Sequence, residues 1–122
     1  MTRRTTLRKN DLAHFTGTQH WYRHPLARKV LFTDGVKYVA DTAGAYWLIG
    51  EIAFGQTVAA VAAEEFQVWT LTVDCAGENA VLTCSDGNDR VVLTRLIGFT
   101  DFPLDDIRFF VIDNTILLPD EY

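Results

Sequence analysis

Apolar positions settle into a period of two from Phe66 onward. Trp69, Leu71, Val73 and Cys75 share one face and Thr70, Thr72 and Asp74 the other, the alternation of a strand with one buried side. Ala76-Gly77-Glu78-Asn79 reads as a turn that sets Cys75 opposite Ala80, Val73 opposite Leu82 and Leu71 opposite Cys84. This register puts both cysteines on one face without pairing them directly. A disulfide is therefore not expected, and both read as small buried hydrophobes. Asp86-Gly87-Asn88-Asp89 is the next turn and Val91 to Ile97 the next strand. Pro103 breaks the chain. Ile107 to Ile112 and Thr115 to Leu118 form a last hairpin around Asp113-Asn114, stopped by Pro119.

Upstream of Phe66 the signals are mixed. Asn10-Asp11 marks a helix start with Leu12, Ala13 and Phe15 as a short apolar face, ended by Gly17. His20 to Pro25 reads as a connector, because proline disfavours helix in the residue before it. Val30 to Thr33 and Val36 to Ala40 are β-rich runs on either side of Asp34-Gly35, a dipeptide that favours a two-residue hairpin turn. Ala45 to Phe54 predicts a helix with Trp47, Leu48 and Ile52 on its apolar stripe and Gly55 at its C-terminus. Thr57 to Glu65 predicts a second short helix capped by Thr57. The expected architecture is α+β over residues 1–122: an antiparallel β-sheet meander with one or two helices inserted after the first hairpin.

Composition narrows the class. With 48% hydrophobic and 22% charged residues the chain has enough apolar surface to bury a core, so disorder is expected only at Met1 to Thr6. No apolar run approaches the ~18 residues of a membrane span, and the N-terminal arginines have no apolar segment behind them. The two cysteines fit a reducing compartment, and a cytoplasmic location is expected. Charge is unevenly divided. Residues 1–37 carry eight Lys/Arg against two acids, a balance of +6, and residues 38–122 carry three against fourteen, a balance of −11. Such a split suits a basic surface for an anionic partner, or an acidic surface for a basic one.

Several segments together resemble an uncharacterised bacterial and phage family, a domain of unknown function. They are Phe15-Thr16-Gly17-Thr18 with Trp21-Tyr22-Arg23-His24, Thr33-Asp34-Gly35-Val36-Lys37-Tyr38, Ala45-Tyr46-Trp47-Leu48-Ile49, Phe66-Gln67-Val68-Trp69, Phe99-Thr100-Asp101-Phe102-Pro103 and Asp113-Asn114-Thr115-Ile116-Leu117-Leu118-Pro119. The resemblance runs from about Leu7 to Tyr122. It implies a setting on plasmids, prophages and other mobile elements, and it supplies no catalytic residue, cofactor or substrate.

Candidate chemistry is sparse. His14, His20 and His24 fall close together and are the only histidines, but Gly17 and Pro25 prevent one helix from presenting all three to a metal. Asp86, Asn88 and Asp89 around Gly87 resemble half of a calcium loop, yet position twelve counted from Asp86 is Ile97 where a glutamate is needed. Glu64-Glu65 and Asp105-Asp106 are adjacent acids whose side chains diverge, so neither is a matched acid–base pair. There is no nucleophile elbow and no phosphate-binding glycine loop. No catalytic group, metal or cofactor is expected.

Two binding readings remain. The first is a non-enzymatic interaction module that engages a host protein or ribonucleoprotein, as an inhibitor of a bacterial defence system such as CRISPR. Its expected contacts are Asp101, Asp105, Asp106, Asp113, Asp120 and Glu121, which outnumber the one nearby cation, Arg108, and can occupy a Lys/Arg-lined channel. The second is a small nucleic-acid accessory protein using Arg3, Arg4, Arg8, Lys9, Trp21, Tyr22, Arg23, Arg28 and Lys29, where cations neutralise phosphates and rings stack on bases. A homodimer through exposed sheet edges is compatible with either.

Overall fold

A computed structural model describes residues 7–122. The N-terminal segment expected to be disordered, and with it Arg3 and Arg4, lies outside the described residues. A single helical turn, α1 (Lys9–Leu12), is followed by two short antiparallel strands, β1 (Trp21–Arg23) and β2 (Leu31–Thr33). Three helices come next: α2 (Asp34–Ala43), α3 (Tyr46–Gly55) and α4 (Ala59–Ala62). Strands β3 (Phe66–Asp74), β4 (Asn79–Ser85), β5 (Val91–Ile97), β6 (Asp106–Ile112) and β7 (Thr115–Leu117) complete one sheet of order β1-β2-β7-β6-β3-β4-β5. Every pairing is antiparallel except β2 with β7, which run parallel, and β6 pairs with β3 instead of with β5, so the sheet is mixed and not the expected meander.

The largest departure from the expected pattern is at Asp34-Gly35. These residues open α2 instead of turning a hairpin. The Thr33 hydroxyl accepts the backbone N–H of Val36 at 3.4 Å, so Thr33 is the N-cap. Val36, Val39, Ala40 and Ala43 then line one buried stripe at i, i+3, i+4 and i+7. Gly44, with φ 64°, takes the left-handed conformation that closes the helix. The β-rich composition of Val36 to Ala40 thus yields to the helical period of its buried positions. The partner of β2 is instead β1, which lies inside the segment expected to be a connector. Tyr22 stacks on Phe32 with ring centroids 5.6 Å apart, and this contact holds the short pair together.

The helix expected at Ala45 to Phe54 forms as α3, but α4 is shorter than expected and is not capped by Thr57. That hydroxyl donates to the Phe54 carbonyl at 2.7 Å, and Val58 occupies the N-cap position with no side-chain cap. In the β3–β4 hairpin the strand ends at Asp74, which pairs with Asn79. Val73 therefore faces Ala80, Leu71 faces Leu82 and Trp69 faces Cys84. The register is displaced by two residues from the expected one, a slip that preserves which face each side chain occupies. Cys84 is buried as expected; Cys75 falls in the turn and is exposed, and both thiols are free. The last hairpin forms around Asp113 and Asn114, whose φ values of 55° and 61° fit its two-residue turn.

The buried residues form one cluster between the helices and one face of the sheet. Trp69 is its largest member. Its indole N–H donates at 2.8 Å to Oε1 of Gln67, a side chain only 3% exposed. Gln67 and Gln56 exchange reciprocal amide hydrogen bonds at 2.8 and 2.9 Å. Gln67 also donates to the carbonyls of Val61 and Glu64, so the buried amide ties α3 and α4 to β3.

Gly55 is the last residue of α3 and makes room for Trp69. A Cβ placed there would lie 2.6 Å from Cη2 of the indole. Alanine is normally the better helix former by about 1 kcal/mol. Here Gly55→Ala is expected to destabilise by about 1–3 kcal/mol, because a buried, hydrogen-bonded indole has no free space into which to retreat. Gly50→Ala in the same helix meets no atom within 4 Å and is expected to be neutral or stabilising. Urea denaturation of the two variants checks the opposite signs.

Candidate interaction surfaces

The acidic residues of the C-terminal segment do not share one surface role. Glu121 is partly buried and accepts three internal hydrogen bonds, from the Thr33 hydroxyl at 2.6 Å, the Gly35 N–H at 3.1 Å and the Leu118 N–H at 2.9 Å. Asp106 is ion-paired with Lys9. Asp105 accepts a 3.5 Å hydrogen bond from the Cys75 thiol. Asp105 and Asp106 stand together at one end of β6, while Asp113 is in the turn at its other end, about 20 Å away along an extended strand. Asp101, Asp113 and Asp120 are exposed.

The basic and aromatic set is likewise divided. Lys9 is taken by Asp106, and the Arg23 guanidinium donates to the carbonyl of Arg28. The Tyr22 hydroxyl donates to Asp34 at 3.0 Å, which raises its pKa. Trp21, by contrast, is 57% exposed at the β1 edge. Arg28 and Lys29 line a cleft of about 850 Å³ between the start of β2, the ends of α3 and α4, and the β6–β7 turn. Glu65 and Asp113 line it too, and the Gln56–Gln67 pair adjoins it with its amides spent on internal partners.

Among the described residues, no three His, Cys, Asp or Glu side chains converge on a point where a metal could sit. His24 is buried, and its Nδ1 accepts the backbone N–H groups of Leu26 at 3.2 Å and Ala27 at 2.9 Å, which closes the loop before β2. Asp86 accepts N–H groups from Asn88 and Arg90 and ion-pairs with Arg90, the arrangement of a turn. Arg90 also reaches Glu64 at 2.7 Å. Burial pushes the Cys84 thiol up to about 12, so it stays protonated and unreactive.

The feature that composition did not announce is the second face of the sheet. Alternation from the buried residues places Phe66, Val68, Thr70 and Thr72 of β3 on it, with Phe110 and Arg108 of β6 as neighbours of Val68 and Thr70. Across the strands, Arg108, Thr70, Thr83 and Thr94 form one row. Leu117, Phe110, Val68, Ser85 and Val91 form the row beside it, and Asp106, Thr72, Val81 and Leu96 the row on the other side. Phe66, Phe110 and Tyr122 cluster at one end, with ring centroids 4.9 to 5.8 Å apart. Tyr122 is 77% exposed and Leu96 78%. Helices α1 to α4 all contribute to the cluster on the other face, while Tyr122 and the turn at Gly87 reach Phe66 on this one. The sequence held one clue to it: Phe109-Phe110-Val111-Ile112 is apolar at consecutive positions, so β6 presents apolar groups on both faces.

The architecture is that of an α+β protein with a helical layer on one face of a mixed seven-stranded sheet. The chain belongs to a family of unknown function, DUF6876, which matches residues 6–122. No curated protein and no solved structure matches it. No helix among the described residues is long and apolar enough to cross a membrane.

The start of α2 is the most densely bonded polar site. Asp34 accepts the N–H groups of Gln19 at 3.0 Å and His20 at 3.3 Å as well as the Tyr22 hydroxyl, and these bonds lower its pKa. The folded value lies below the unfolded one. Its stabilising contribution is therefore present above the ordinary carboxylate range and is lost as pH falls through the folded value. Asp34→Asn is expected to lower the melting temperature at neutral pH and to make stability less pH-dependent below about pH 4. Thermal melts of both proteins across the acid range measure the difference.

Proposed function

We propose that this protein is a non-enzymatic protein-binding module whose contact surface is the open face of its sheet. One observation carries the reading. That face bears half-buried Phe66, Val68, Val81, Phe110 and Leu117 beside exposed Leu96 and Tyr122, while α1 to α4 give their apolar residues to the cluster on the other face. Soluble domains seldom leave contiguous apolar surface of this extent unpartnered. The central threonine row and Arg108 add polar groups that fix orientation, and aromatic anchors supply contact area.

In its finer form the proposal makes the partner a host protein or ribonucleoprotein and the outcome inhibition of a bacterial defence system such as CRISPR. Support for that form comes from the mobile-element resemblance and the charge split. The acidic residues serve it less well as a single strip, since Glu121 is engaged internally and Asp106 is paired with Lys9. The open face replaces them as the main contact.

A double variant on the open face, Thr70→Glu with Thr83→Glu, tests the surface. Tagged wild type and variant are used to capture partners from host bacterial lysate with and without nuclease. A nuclease-resistant partner held by the wild type and reduced at least about tenfold by the variant is the expected result. Equal capture by two well-folded proteins would sink the assignment.

A second reading, nucleic-acid binding, is favoured by exposed Trp21 near Arg23, and by Arg28 and Lys29, which have no ion pair among the described residues. It expects binding to single-stranded DNA or RNA that weakens steeply with salt. Replacing Arg28 and Lys29 by Ala should flatten that slope by about two charges; a slope that does not change removes this reading.

A further inference from the structure

The basic and acidic parts of the chain meet at the cleft beside β2. Arg28 and Lys29, from the basic segment 1–37, stand on the loop that leads into β2. Glu65 follows α4, and Asp113 sits in the β6–β7 turn. All four are exposed, and all four line the one cleft of about 850 Å³. None of them has an ion pair among the described residues. The neighbouring Glu64, by contrast, is held by Arg90.

Between these charges the lining is small and apolar: Ala53 of α3, Ala62 of α4 and Val111 of β6. The Gln56–Gln67 pair lines it too, and its amide hydrogens are all committed. Gln56 donates to the Ile52 carbonyl and to Gln67, and Gln67 donates to Gln56, Val61 and Glu64. Oε1 of Gln67 already accepts from Gln56 and Trp69, so only Oε1 of Gln56 keeps a lone pair unused. This pair offers a ligand an acceptor and no donor. An anionic group is therefore drawn to Arg28 and Lys29. The frame is fixed before any ligand arrives, because the Leu31 N–H bonds the Asn114 carbonyl at 2.9 Å and Gln67 ties the end of α4 to β3.

We propose that this cleft is a binding site for short peptides with free termini, the carboxylate held by Arg28 and Lys29 and the ammonium by Glu65 and Asp113. Charge selects the class. A simple anion in the cleft meets two carboxylates, and a simple cation meets two cations, so either one is opposed by half of the rim. A molecule with both signs across an apolar body answers the whole rim. Size selects within the class. Pockets of roughly 300–1,000 Å³ enclose drug-sized ligands, so a cleft this large takes a peptide of about two or three residues and not a single amino acid. Thr70 and Thr83 do not line it, so its occupation is independent of the binding proposed for the open face.

The peptides Leu-Leu, Ala-Val-Leu and Leu-Gly-Leu, each free, N-acetylated and C-amidated, are titrated into isotopically labelled protein and followed by amide chemical shifts. Free peptides should move the signals of Ala62, Glu65 and Asn114, and either block should weaken binding at least about tenfold. Arg28→Gln with Lys29→Gln is expected to erase the preference for a free carboxylate and to keep that for a free amine. Glu65→Gln with Asp113→Asn is expected to do the reverse. Asparagine suits the left-handed conformation at residue 113, where φ is 55°, so the turn is preserved. Absence of shifts at the cleft with every free peptide at millimolar concentration overturns the proposal. So does equal binding of free and blocked peptides, or a preference that survives both double variants. Thr70→Glu with Thr83→Glu should bind the peptides as the wild type does, which separates failure here from failure of the open-face reading.

Discussion

Two carboxylates converge on the N-terminus of α2, and the join between the two ends of the chain depends on them. Asp34 gathers the backbone of Gln19 and His20 and the hydroxyl of Tyr22. Glu121, 86 residues beyond Gly35, gathers Thr33, Gly35 and Leu118. Both sit where unsatisfied N–H groups and the helix dipole favour negative charge. The result locks the β1–β2 pair, the first long helix and the C-terminal turn to one another. It also explains the parallel contact of β2 with β7, which is unusual in a sheet otherwise built by antiparallel neighbours. Once the C-terminal tail is anchored at the end of β2, the strand that leads into that tail lies alongside it.

The helical layer follows from a second constraint, the seating of Trp69. Its indole is satisfied by a buried glutamine that is itself held by another glutamine and by the carbonyls of Val61 in α4 and Glu64 just beyond it. A half-satisfied network of this kind would cost more than an apolar core, so all its members must be in place together. Helices α3 and α4 are thereby committed to one face of the sheet. The other face keeps its aromatic and aliphatic rows without a layer from the described residues. Function, on this reading, is placed where the fold has left apolar surface over, and charge plays a subordinate part.

The strands of the C-terminal half were legible in the sequence because period two needs only alternation and turns, but their order was not, since β6 pairs with β3 and not with its chain neighbour β5. Asp113-Asn114 and Asp86 to Asp89 declare themselves by residue type, and β5 and β6 begin and end where breakers say they should. The interaction surface was less legible. Asp105 and Asp106 look like partners of Asp113 and Glu121 in the sequence, but a strand carries them to opposite ends and an internal bond set absorbs Glu121. Charge counts record how many ionised groups a segment has; they do not record which of them are already bonded. The open face was hinted at by four consecutive apolar residues in β6, and its extent became visible only when five strands were laid side by side.

The Asp34-Gly35 pair shows where local chemistry stops being decisive. The sequence by itself determined an α+β protein, the apolar stripe of α3, the turns of the C-terminal hairpins and which face of β3 is buried, since each depends on neighbours a few residues apart. Only the tertiary structure decided that Gly35 is helical. A Cβ there would lie 2.7 Å from the Glu121 carboxylate and 2.8 Å from Leu118, so the glycine is needed for a close approach from the far end of the chain and not for a positive φ. Gly55 repeats the lesson against Trp69. A glycine carries the same letter whether it frees the backbone or vacates space for a distant side chain, and the distinction exists only once the two parts of the chain have met.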